Sequence, residues 1–545
     1  MLACLLRFNR AEFVHSSRTM KNFWNKILLL SGALALAVSV SPFSHAQSAN
    51  PRLFEIDEQS DPHVIRVLQN EAGTYSYLGT LMDDPSIEQL RLVKVNAALI
   101  APDTQMLSLP LPDGRTVNFQ LKRFNTSMPG MEGWIGDVLS DRKRLYTSDA
   151  EVDMDPFNWV SLVRDGDQLA GSIRVDGQLY RLEFVGQGQH ALTKVDESKL
   201  PPTAEPLPDP ETLDTDTAVD TAVKPEHSTI RLLFVTTIQS RAAHPGIRAT
   251  LAQALQNANQ YMINSRVPIN YELAGFYDAD YDETGRTYKQ TLDDMRLSKP
   301  FGVDLLRVRE ALGADLVSMY TMGKEYCGLA WIRASKAQGH SVISCAGALA
   351  HELGHNLGGN HGLEGTDPTK RYNHGYRHRS PNFHTIQVTS HGAIPYFSNP
   401  RLTYQGIPMG TVMNHDMARQ FDDYRAVVEN FYPPVLDVTL YEHSHYRGRS
   451  CHFIQAVGSA IDVRQQCGAE WGSIVSSAKV LGLAPGITVR FEGAPGQYEE
   501  FISKAYRGAL SVYLFGEYPD MSSDIDWVKA GSSMNDKVSM VSISR

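Results

Sequence analysis

Cysteine is scarce in this chain: five in 545 residues, with none between Cys4 and Cys327. A stretch without thiols, residues 47–226, excludes any thiolate-based contact from that region to a metal. Positive charge is also short. Lys and Arg number 51 against 61 Asp and Glu, the net charge is −10, and no basic run offsets it. Phosphate binding concentrates Lys and Arg, so a nucleic-acid partner is not expected. Beyond residue 46 no apolar run approaches the roughly 20 residues of a membrane span, so no membrane partner is expected once the N-terminal segment is removed. The remaining composition, 42% hydrophobic and 21% charged, is that of a soluble globular protein, and the length admits two to four domains.

The N-terminal segment is different. From Met20 the chain reads MKNFWNKILLLSGALALAVSVSPFSHAQ, with Lys21 and Lys26, an apolar run from Ile27 to Val40, and Ser44-His45-Ala46. That is the charged, apolar and small-residue order of a secretory signal, with cleavage expected after Ala46. The alternative, a membrane anchor, is disfavoured because about 14 apolar residues fall short of a span. Residues 1–46 are therefore read as a signal peptide with Met20 as a candidate true start, and the mature protein as secreted and extracellular. Its remaining cysteines, Cys327, Cys345, Cys451 and Cys467, suit two disulfides in an oxidising compartment. Local pairing, Cys327–Cys345 and Cys451–Cys467, is expected among the three connectivities that four cysteines allow.

Residues 47–195 alternate apolar and polar side chains, as in Leu90–Asn96 and Gly171–Phe184, with Asp-Gly turns at 113–114 and 176–177. They read as a β-rich domain. Residues 196–227 follow as a linker. Its first 31 residues hold six prolines and nine acidic side chains against two lysines, too little apolar surface to offset chain entropy, so an extended, exposed and cleavable segment is expected. Residues 228–434 change pattern. Strand runs at Ile230–Val235, Ile269–Phe276, Asp315–Tyr320 and His340–Cys345 alternate with helical spacing at 246–264 and 304–312, which indicates an α/β layer with a mixed sheet. A last helix, Asn414 to Asn430, ends at Pro433-Pro434. Residues 435–545 read as a small all-β, two-sheet domain.

The chemistry sits at 350–361, AHELGHNLGGNH. On a helix, positions i and i+4 share a face, so His351 and His355 can present ring nitrogens to one ion. Glu352 lies beside them without ligating, placed to reach a metal-activated water. Gly358 accepts a positive φ, so the helix can stop and the chain turn back to bring His361 to the metal. Three protein ligands with one open position are the arrangement of catalytic rather than structural zinc. Glu352 would act as general base on the water, then pass the proton to the leaving nitrogen.

His351, Glu352, His355, Gly358 and His361 match the metzincin signature. The region 228–432 resembles the catalytic domain of secreted bacterial metzincins related to the reprolysin/adamalysin branch, as do Tyr326–Trp331, Ser344-Cys345 and Ile394–Pro400. The resemblance implies one catalytic Zn2+ on His351, His355 and His361, Glu352 as base, and an edge strand that pairs with substrate backbone. It implies an endopeptidase with protein or peptide substrates. Two positions depart from the pattern. The methionine-turn position is Gln387, so either the turn is altered or Met409 or Met413 supplies the platform. Gly362 follows the third histidine where adamalysins carry aspartate.

Segments such as Gly171–Phe184 and His190–Asp196 resemble reprolysin-type propeptides, which implies a zymogen inhibited by its own propeptide. Tyr441-Glu-His-Ser-His-Tyr-Arg-Gly448 matches the Greek-key corner of βγ-crystallin domains. Trp471–Ser477 and Asn535–Met540 fall where such domains bind Ca2+, but Gly472-Ser473 and Met540 replace expected oxygen ligands. The competing reading is a secreted binding or matrix protein with a vestigial metal site, whose working part is the crystallin-like domain. Zinc content and chelator-sensitive casein cleavage separate the two.

Overall fold

The computed structural model describes residues 50–57, 76–126, 128, 130–210, 225–433 and 435–483, and the shorter stretches 487–493, 498–503, 508–513, 525–530 and 538–544. The signal-peptide segment, the linker residues 211–224 and Asn535–Lys537 of the second calcium loop lie outside them.

Nine strands form the N-terminal sheet: Phe54–Ile56, Ile87–Val95, Met106–Pro110, Thr116–Asn125, Met131–Asp137, Trp159–Asp165, Gln168–Val175, Gln178–Gly186 and Gln189–Val195, β1 to β9. Their order is β1-β2-β9-β8-β7-β6-β5-β4-β3, antiparallel throughout, so β3 to β9 form a continuous meander. The β7–β8 hairpin turns at Asp176 and Gly177, whose φ values of 51° and 81° are both positive, as a two-residue turn between twisted strands requires. Inward residues such as Trp134, Leu162 and Ile173 make its core. A short helix, α1 (Ser76–Met82), packs on the same region through Tyr77, Leu78 and Leu81.

The second sheet contains β10 (Leu207–Pro208), β11 (Ser228–Thr236), β12 (Ile269–Asp278), β13 (Leu316–Tyr320), β14 (Gly328–Ile332) and β15 (His340–Ile343), in the order β10-β14-β15-β13-β11-β12. The β15-β13-β11-β12 run is parallel, and β14 is antiparallel to β15. The fully buried run Leu232–Val235 on β11 explains why that strand reads as continuous hydrophobic sequence rather than alternation. Helices α2 (Ile247–Asn264), α3 (Tyr288–Leu297), α4 (Phe301–Leu312), α5 (Leu349–Asn356) and α6 (Met417–Glu429) cover the sheet. The mixed α/β layer appears as read from sequence. Helix α3, which that reading passed over, is started by a capping box between Thr287 and Gln290.

Two features differ from expectation. Helix α2 buries its apolar stripe, as the periodicity indicates, but also its amide-rich face. Gln253 Nε2 donates to Ser172 Oγ at 3.0 Å, and Gln256 Nε2 donates to Ser161 Oγ at 2.9 Å and to the Leu162 carbonyl at 3.0 Å. The N-terminal sheet therefore lies on a helix whose own pattern would leave that face to water. The second difference is residues 200–210, which are extended but not free in solvent. Cys327 N donates to the Pro202 carbonyl at 3.0 Å, β10 pairs in parallel with Trp331 and Ile332, and Ala204 is buried. Asp209 is buried because its carboxylate accepts the Ser335 amide at 2.6 Å. Backbone pairing needs no particular side chains, so a proline-rich acidic segment can still dock on an open strand edge.

The C-terminal strands form a four-stranded and a five-stranded sheet around a core that includes Trp471, Phe491 and Val541. At the corner Tyr441 meets Tyr446 edge-on, with ring centroids 5.7 Å apart, and Gly448 takes a φ of 81°. Cys327–Cys345 and Cys451–Cys467 are both bridged.

Candidate active site

Helix α5 ends in a Schellman motif. Gly359 N donates to the Gly354 carbonyl and Gly358 N to the His355 carbonyl, both at 2.8 Å, with Gly358 at φ 90°. The reversal brings His361 back over the helix, where Asn360 N bonds the Asn373 carbonyl at 2.7 Å and His374 Nδ1 bonds the His361 carbonyl at 2.7 Å. The three predicted histidines converge. One nitrogen from each of His351, His355 and His361 lies within 4.8 Å of the others, and His351 Nε2 stands 3.3 Å from His361 Nε2.

The geometry fits a single ion. The buried Nε2 of His355 has no partner, while its Nδ1 bonds the Gly359 carbonyl at 2.8 Å, which fixes the ring and aims Nε2 at the other two. Burial pushes His355 down to about 3 and holds His351 well below the ordinary histidine range. Neutral imidazole is the form that binds metal. Zinc is the ion that such a three-nitrogen set with room for a fourth ligand suits.

Glu352 is 1% exposed, points into the cavity beside this cluster and leaves Oε2 without a partner. Burial alone holds its carboxyl well above the usual range. Its neighbour across the cleft is Gly328, the first residue of β14, where any Cβ would overlap the carboxyl. The edge strand is clamped to α5: Arg333 N bonds the His355 carbonyl at 2.8 Å, and Asn356 Nδ2 bonds the Trp331 carbonyl at 2.9 Å. The Cys327–Cys345 bridge ties the start of β14 to the segment entering α5.

At the methionine-turn position, Gln387 itself lies beneath the cluster, its amide 3.1 Å from His355 Nδ1. Met409 packs instead with Phe383, Ile394 and Tyr396, and Met413 is exposed. The altered turn is thus the correct alternative of the two. Sequence reading missed three contacts: Gln387 to His355, Gly328 against Glu352, and Glu205, whose Oε2 lies 3.2 Å from His361 Nδ1. Only Gly328 left a signal, as the glycine of the Tyr326–Trp331 segment.

A family model described as Metallo-peptidase family M12B Reprolysin-like matches residues 248–362, which include every residue of the cluster. The chain is 30% identical over 396 residues to a peptidyl-Asp metalloendopeptidase of Xanthomonas campestris pv. campestris, covering 68% of this chain and 93% of the relative. Two proteins of the same description from Stenotrophomonas maltophilia are 30% and 31% identical, each covering 74% of this chain and 98% of the relative. With the histidine cluster and the matched region coinciding, the chain belongs to the reprolysin-type metallopeptidases and is a zinc metalloendopeptidase.

Proposed function

We propose that the chain is a secreted endopeptidase, made in a latent form, that cuts polypeptides beside aspartate. His351, His355 and His361 hold the zinc ion, and Glu352 is the general base. The observation that carries the catalytic part is a buried carboxyl beside three convergent imidazoles. Bound zinc supplies Lewis acidity, lowering the pKa of a bound water to about 7 and polarising a carbonyl. Glu352 takes a proton from the attacking water and delivers it to the leaving nitrogen. A desolvated carboxyl holds a proton more readily than an exposed one, which suits this shuttle. Strand β14 offers its backbone to an extended substrate, a mode of recognition that gives affinity without side-chain specificity.

Latency is supported by what fills that edge. Residues 200–208 lie along β14, and Glu205 reaches the outer nitrogen of His361. The cavity containing Glu352 and His351 is walled on its other side by residues of the N-terminal sheet. Secretion is supported by the signal-like N-terminus and by two disulfides. The crystallin-like reading of the C-terminal sheets is supported by the Tyr441–Gly448 corner, with calcium there left to ligand chemistry at Trp471–Ser477. Aspartate preference is carried over from the relatives' descriptions.

Glu352→Gln should keep one zinc per chain and lose casein cleavage. Casein cut at the wild-type rate by that variant would overturn the assigned role. N-terminal sequencing of active secreted enzyme should begin within or just after residues 197–227. Full activity in material that still starts near residue 47 would remove the latent form.

A further inference from the structure

Recognition of an acidic side chain beside the scissile bond needs a cation close to Glu352. The cavity of about 250 Å3 between the N-terminal sheet and the α/β layer, which Glu352 lines, also has a lysine in its wall. From the α/β layer, among the described residues, Lys324 is the one lysine or arginine in its wall. It sits on the loop Thr321–Cys327, four residues before Gly328. That places its Cα within about 14 Å of the glycine touching the Glu352 carboxyl.

The loop is held firmly through its backbone. Gly323 N donates to Thr321 Oγ1 at 2.8 Å, Met322 N donates to Glu283 Oε1 at 2.8 Å, and Tyr288 Oη donates to the Gly323 carbonyl at 2.9 Å. The adjacent acid, Glu325, accepts the Tyr288 amide at 2.8 Å, and Glu283 accepts the Met322 amide at 2.8 Å. The acid that does face it comes from the opposite wall. Asp84, in the turn after α1, places Oδ2 3.9 Å from Lys324 Nζ, while its Oδ1 is taken by the Ser86 amide and hydroxyl at 2.9 and 2.7 Å. The other two acids on that wall are engaged locally: Glu183 by Tyr77, and Glu197 by Arg174.

We propose that Lys324 is the specificity-determining residue that receives the substrate's aspartate carboxylate, and that Asp84 occupies its place while the N-terminal sheet covers the cleft. This rests on the aspartate-directed reading above. A lysine rather than an arginine presents a point charge on a flexible stem, which suits a short carboxylate approaching with the backbone already fixed on β14.

The test uses enzyme purified after expression of the full chain, loaded with zinc, and matched peptides carrying Asp, Asn or Lys beside the cleaved bond. Wild type should show a higher kcat/KM for Asp than for Asn. Lys324→Met should reduce that Asp-to-Asn ratio about tenfold, mainly through KM. Lys324→Glu should reduce it further and raise the Lys peptide relative to Asn, Lys324→Arg should restore most of it, and Lys299→Met, an exposed charge control, should not change it. If wild type prefers Asp and both Lys324→Met and Lys324→Glu keep that preference, the assignment to Lys324 is wrong and the aspartate-directed reading stands. If wild type itself shows no preference for Asp, that reading falls and this inference with it.

Discussion

Replacing Gln387 by methionine separates two effects that its amide combines. The Gln387 amide lies 3.1 Å from His355 Nδ1, which also bonds the Gly359 carbonyl. For Nε2 of His355 to face zinc, Nδ1 must carry the proton, so the amide serves it through its oxygen; the two ends of the amide exchange without change of shape. In the orientation recorded, Gln387 Oε1 is buried without a partner. A buried orphan costs about 1–3 kcal/mol, and a net hydrogen bond is worth about 0.5–1.5 kcal/mol. Methionine has nearly the same volume, and the positive φ of 76° burdens both side chains alike. Gln387→Met should therefore stabilise the zinc-free protein by about 1 kcal/mol, raising its melting midpoint by roughly 2–4 °C. The same change should weaken zinc binding roughly 3- to 10-fold, because the ring loses an orienting acceptor. Competition against a chromophoric chelator gives the affinity, and thermal unfolding without metal gives the stability. Unchanged or tighter zinc binding in the variant would refute the claim that Gln387 orients His355.

His244 is fully buried with neither ring nitrogen partnered, stacked on Tyr77 at 4.0 Å between centroids and edge-on to Tyr320. Burial pushes it down to about 3. Because the folded state disfavours its charged form, its contribution is complete above about pH 6.5 and is lost as pH falls from there toward 3, on the order of 2 kcal/mol by pH 5. His244→Phe should flatten the acid limb of the stability profile by that amount, with His190 and the metal-site histidines titrating alike in both proteins; an identical limb would reject the assignment. Gly328→Ala should leave zinc content intact but cut kcat by 10-fold or more, since the new methyl must displace the Glu352 carboxyl or the edge strand. A fully active Gly328→Ala enzyme would mean that the two do not meet in the working state.

The site was legible because its information is local. His351, Glu352, His355, Gly358 and His361 span eleven residues, and helix geometry plus one glycine turn suffices to converge them. The strands of the α/β layer were legible for the same reason: β11 carries the buried apolar run Leu232–Val235, and β13 is buried along its whole length with one serine among apolar residues. What escaped is non-local. Gln387 reaches His355 across 32 residues, and Glu205 reaches His361 from a segment whose composition predicts a free linker. Asp84 meets Lys324 across 240 residues, through two turns that carry no mark of each other. Helix α2 is the intermediate case. Its apolar stripe marked one buried face, and nothing in its own periodicity marks the sheet that covers the other.

That second face bears on how the two halves can part. Gln253, Gln256, Asn257 and Gln260 are all buried under or beside the N-terminal sheet, yet Gln256 Oε1, Asn257 Oδ1 and Gln260 Oε1 lack partners. An interface meant to be permanent gains more from apolar contact, which carries no such orphans. Amides left half-satisfied in the contact recover their hydrogen bonds from water on separation, at about 1–3 kcal/mol each. The covering sheet is thus held less tightly than its area alone would give, and the helix it uncovers is already dressed for solvent. The apolar stripe of α2, with Leu251, Leu255 and Met262, belongs to the α/β core, a cluster that Met128, Met131 and Val163 of the N-terminal region also join. Beyond α2 the contact is apolar: Ile135, Val152, Met154 and Trp159 share one buried cluster with Phe383, Ile394, Tyr396 and Leu402, so any separation must also uncover that cluster.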